Sequence, residues 1–181
     1  RITELLCVSG IIVINRVLEK FGFYMIPPLR KVFIWKNFFE FSFGKENEDY
    51  TPNKDLFNRL KHPAELFYLA NIYNWDDGPL PLKWIVESHL CSEGTAKLIF
   101  WRAAPDFYLK YSFSDHSSLN EHDSGVLNVL EIIMTRFKKG TYNQYEIEFD
   151  PSPEIEEIVT KEPKWEVPSI VYQKVHGANI I

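Results

Sequence analysis

Residues 62–105 read HPAELFYLANIYNWDDGPLPLKWIVESHLCSEGTAKLIFWRAAP, and the spacing of apolar positions and breakers within them decides the fold class. Leu66, Leu69, Ala70 and Tyr73 fall at the i, i+3, i+4, i+7 interval of one buried helix face. His62-Pro63 opens that helix, with proline at the first helical position, where its missing N–H is not needed. The cluster Asn74-Trp75-Asp76-Asp77-Gly78, followed by Pro79 and Pro81, ends it. A second short helix turns Leu82, Ile85 and Val86 inward. Ser92 caps a third, whose stripe is Ala96, Ile99, Phe100 and Ala103, and Pro105 closes it.

The same alternation extends outward. Thr51-Pro52 predicts a helix start, a hydroxyl cap with proline behind it. An aromatic stretch over 107–113 is followed by a polar loop to residue 123. From Ser124 the clearest helix in the chain aligns Val126, Leu130, Ile133 and Phe137, carries Lys138 and Lys139 in its last turn, and stops at Gly140. The expected fold is mainly α, with short helix pairs packed in a solenoid or bundle between residues 52 and 140 and a minor β or extended element near each end. Residues 3–20 fit an amphipathic helix ending near Gly22, although the run Ile11-Ile12-Val13-Ile14 equally suits a buried strand. Residues 29–43 stay open between helix and strand: Phe39, Phe41 and Phe43 alternate with polar residues, but Asn37-Phe38 breaks the phase of Phe33 and Trp35. Residues 44–53 are a polar surface connection. Tyr145, Ile147 and Phe149 alternate with Glu146 and Glu148 as one short strand or extended segment would. A single domain over 1–181 is expected, divided into an apolar and aromatic N-terminal segment (1–50), a helical core (52–151) and an extended acidic arm (152–181).

Bulk properties narrow the function classes. The chain of 181 residues is long enough for one sizeable core, and its aromatic fraction of 15% is high. The net charge of −5 is uneven: residues 143–181 hold three Lys/Arg against eight Asp/Glu. An acidic balance argues against nucleic acid as partner, because phosphate neutralisation needs clustered Lys/Arg, and it is compatible with a basic protein. Cys7 and Cys91 stand far apart with no disulfide or zinc spacing, as buried thiols in a reducing compartment would. The apolar run 5–14, closed by Glu4 and Arg16, is about half of what spans a bilayer, so the expectation is cytoplasmic, with no membrane. The chain opens at Arg1, so a piece upstream is conceivable.

Few residues offer chemistry. Asp76 and Asp77 are adjacent carboxylates in a turn, an arrangement a hydrolase could divide into base and electrostatic partner. The simpler reading is a turn in which Asx side chains accept backbone amides and Gly78 supplies the unusual angles, with Trp75 plugging the core. His116, Glu121, His122 and Asp123 are the densest set of potential ligands, but the histidines are six apart in what reads as a loop. No nucleophile elbow and no phosphate loop is present. No metal, no cofactor and no catalytic residue is therefore assigned. In the acidic tail, Glu146, Glu148, Asp150, Glu154, Glu156 and Glu157, together with Trp165, would suit a basic partner, with charges steering the encounter and aromatic groups anchoring it. The bland alternative is a solvated arm that keeps the chain soluble.

The pieces Leu69-Ala70, Tyr73-Asn74-Trp75-Asp76-Asp77-Gly78, Cys91, Gly94-Thr95-Ala96 and Ile99-Phe100-Trp101 resemble a bacterial family of unknown function, family 4274, over residues 62–151. Lys97 departs from the apolar residue that family would place there. The resemblance implies a small helical protein in which Tyr73 to Gly78, Gly94, Thr95 and Trp101 are structural. Members resemble small proteins encoded beside bacterial contact-dependent toxins. The resulting expectation is an immunity protein of a toxin–antitoxin pair, a non-enzyme that covers the active surface of a cognate, basic toxin. The alternatives are a small hydrolase using Asp76 and Asp77, or a helical-repeat scaffold that grips a peptide.

Overall fold

The computed structural model describes residues 2–40, 51–115 and 118–181, with only the backbone described for residues 2–9. Its elements are α1 (Ile2–Leu18), β1 (Phe23–Tyr24), α2 (Pro28–Phe38), α3 (Lys54–Phe57), α4 (Pro63–Ile72), α5 (Leu80–Glu87), α6 (Glu93–Arg102), α7 (Pro105–Tyr108), α8 (Glu121–Lys139) and β2 (Asn179–Ile180). The fold is mainly helical. Phe23 and Tyr24 pair in parallel with Asn179 and Ile180, so the minor β element joins the two ends of the chain.

Local side-chain chemistry sets most boundaries. His62 caps α4 by accepting the Ala64 N–H, while the Glu65 carboxylate reaches back to the His62 N–H, a reciprocal capping box. Ser92 caps α6 by accepting the Thr95 N–H, and Gly140 closes α8 in the left-handed conformation. Two starts differ from the sequence expectation. Asn53, not Thr51, caps α3, its Oδ1 accepting from Asp55 and Leu56; α8 begins at Glu121 behind an Asn120 cap, not at Ser124. In each case an asparagine amide oxygen accepts the free N–H groups, and α8 thereby takes in His122 and Asp123, which read as loop. Residues 28–38 are helical. Phe41 and Phe43, the rest of the alternation expected there, lie outside the described residues, as do the connection at 44–50 and His116.

The core lies where α4, α5, α6 and α8 meet. Leu66, Leu69, Leu82, Ile85, Ile99, Phe100, Leu130 and Ile133 are fully buried. At about 25 cal/mol per Å² of apolar area removed from water, this burial is the main stabilising term. α2 packs on α4 through Ile34 and Phe38. Among the described residues no helix is long and apolar enough to cross a membrane.

Candidate interaction surface

Three glycine or amide devices lay the C-terminal segment onto the helices. Asn143 donates its N–H to the Cys91 carbonyl at 2.9 Å and its Nδ2 to His89 at 3.0 Å. Gly94 lets the chain pass, since a Cβ there would collide with the Ile147 carbonyl. Gly177 does the same against the Glu146 carbonyl, where Ala178 returns beside Ile147. The alternation at 145–149 thus yields isolated bridges, Ile147 with Ala178 and Phe149 with Val175, not a full strand.

Further along, side chains of α6 and α7 hold the segment. Arg102 Nη2 meets Glu154 at 3.0 Å. Asp106 accepts the N–H groups of Val159 at 3.1 Å and Thr160 at 3.0 Å. Desolvation pushes the Asp106 carboxyl up, but the hydrogen bonds from Thr160 and Val159 outweigh it and hold the group below its ordinary value. Trp165 stacks on Phe113 and donates its indole N–H to the Tyr108 carbonyl. Trp101, buried on α6, donates its own to Val171 at 2.9 Å. Lys97 is the least foreseeable anchor. Its side chain is 1% exposed, sits 2.7 Å from Glu93, and donates to the Gln173 carbonyl at 2.9 Å. Lys97 thus joins Trp101 and Arg102 in tying the tail to α6.

The acidic residues therefore divide into two groups. Glu148 pairs with Lys174 at 3.1 Å, and that contact lowers its carboxyl from the ordinary value. Asp150 accepts the Ser152 N–H at 3.0 Å, and Glu154 is held by Arg102. Glu146 is half-buried, with one carboxylate oxygen shielded and lacking a hydrogen-bond partner among the described residues. Burial, then repulsion from Glu93, raises its carboxyl, while Lys97 opposes the rise. Glu156 and Glu157 instead stand exposed between Ile155 and Val159, the latter 64% exposed. This span is anchored on one side by Arg102–Glu154 and on the other by Asp106, so an acidic and apolar surface is presented on a fixed support.

The motif turn is built from internal contacts. Tyr73 donates its hydroxyl to the Gly78 carbonyl at 2.8 Å, Asn74 accepts the Asp76 N–H at 3.3 Å, and Gly78 takes φ +86°. Trp75 packs on the core, and its indole nitrogen is shielded with no hydrogen-bond partner among the described residues. Thr95 bonds Ser92 at 2.9 Å beside Gly94. Asp76 is exposed and Asp77 half-buried. Asp77 and His122 both line an open hollow of about 890 Å³ between the motif turn and the start of α8. Among the described residues no group of three His, Cys, Asp or Glu side chains could hold a metal ion. Cys91 is fully buried, and desolvation pushes its thiol up to about 12.

No curated protein and no solved structure matches the chain. Residues 61–137, from the start of α4 through most of α8, match the family model described as "Domain of unknown function (DUF4274)".

Proposed function

We propose that the protein is a non-catalytic binding module, an immunity protein that covers the active surface of a cognate basic toxin in the cytoplasm. The observation that supports it is the span 155–159, where Glu156 and Glu157 stand exposed between Ile155 and Val159 with both ends anchored. Exposed carboxylates accelerate encounter with a basic surface. Preordered apolar side chains then add contact area without the cost of ordering a loop. Expression of the toxin-like product of an adjacent gene, with and without this protein, tests the reading. Protection from toxicity and a purified complex of the two are expected. A toxin that remains lethal and does not bind would overturn it.

One observation favours a second reading, a small hydrolase. Asp77 shares its hollow with His122, so the fold does bring a histidine to the same cavity as the carboxylate turn. Loss of a measured hydrolytic activity in both Asp77→Asn and His122→Ala would establish that reading in place of the first.

A further inference from the structure

Among the described side chains of the N-terminal helix, one polar residue is buried against the rest of the molecule. Asn15 is buried, and its amide bonds both the N–H and the carbonyl of Met25, each at 3.0 Å. Ile12, Val13, Ile14 and Val17 are all exposed, Val13 by 60%. At about 100° per residue these four span an arc of about 200° around α1. Arg16 lies within this arc, so the face suits a fluid apolar medium from which a long basic side chain can reach a charged boundary. The apolar surface continues past the helix. Phe21 is 72% exposed and Leu29 75%, and Trp35, a residue suited to the boundary between water and hydrocarbon, is exposed on α2.

Charge identifies the medium. Residues 1–40 carry six Lys/Arg against three Asp/Glu, whereas residues 41–181 carry fourteen against twenty-two. Among the described side chains of this stretch, Arg16, Lys20 and Lys36 are exposed beside the apolar residues, as are Glu19 and Glu40. Long basic side chains can lie along apolar surface while their charges reach head groups. We infer that the unit formed by α1, β1 and α2 docks on an anionic lipid surface, lying in the interface and not crossing it. This departs from the expectation of no membrane, because a run too short to span a bilayer is long enough to lie in one. It uses residues other than the proposed toxin-binding span.

Flotation of the full chain with vesicles of phosphatidylcholine and phosphatidylglycerol in equal parts tests the inference. The chain is expected to float with these vesicles. Binding should fall at least about tenfold on phosphatidylcholine alone, in the exposed-site variant V13E/V17E, and in the charge variant R16E/K20E, with circular dichroism unchanged. Failure to float with the anionic vesicles would overturn it, as would flotation that V13E/V17E leaves intact. A concentration-dependent dimer dissolved by V13E/V17E, with vesicles left empty, would assign the face to a second copy and also overturn it.

Discussion

His62 performs two tasks at the head of α4. Its Nδ1 accepts the Ala64 N–H at 3.2 Å, and its ring stacks on Tyr24 at 4.0 Å with an edge contact to Tyr145. The cap requires a neutral nitrogen. Burial lowers the imidazole from its ordinary value of 6.5, against the pull of Glu65 and Glu19. A base held neutral by the fold contributes stability that is complete above the unfolded value and is lost as pH falls through the lowered one. Urea titrations should therefore show stability falling below pH 6.5, the ordinary value. In His62→Asn, which keeps an acceptor at the cap, that part of the pH dependence should vanish, while about 1 kcal/mol of ring contact is lost. The same slope in both proteins would show that the histidine is not the group responsible.

Among the elements, the joint between α6 and the tail carries most meaning. Lys97 spends a buried cation on the Gln173 carbonyl, seventy-six residues downstream. Its removal leaves that carbonyl and Glu93 without their partner. Lys97→Ala should cost about 2–4 kcal/mol and expose the amides of residues 171–175 to hydrogen exchange. Unchanged protection there would mean that the Trp101–Val171 bond and the Phe149–Val175 bridge hold the tail without Lys97. The helices α4, α5 and α6 were legible in the sequence because their caps and apolar stripes are local. The starts of α3 and α8 lie close to the expected ones because Asn53 and Asn120, the residues that cap them, stand within four positions of Thr51 and Ser124. The Ile11–Ile14 run was ambiguous because β-branched residues suit either structure, and exposure is not written in periodicity. Lys97 looked like a misplaced charge because its partner lies outside any local window.

Over the whole molecule, the acidic residues of the tail split between the fold and the solvent: three have internal partners, while Glu156, Glu157, Glu162 and Glu166 face outward. Glu148, Asp150 and Glu154 have internal partners, and Trp165 lies against Phe113; the sequence grouped them with Glu156 and Glu157 because composition does not distinguish a paired charge from a free one. The described helical body thus holds a fixed outer span, the surface proposed above to meet a basic protein. The most direct test is calorimetric titration of the toxin-like neighbour with the wild type and with E156K/E157K, at low and high salt. Binding by the wild type that weakens with salt, and a loss of about tenfold or more in the variant, is predicted. Equal affinity in the two proteins would contradict the account.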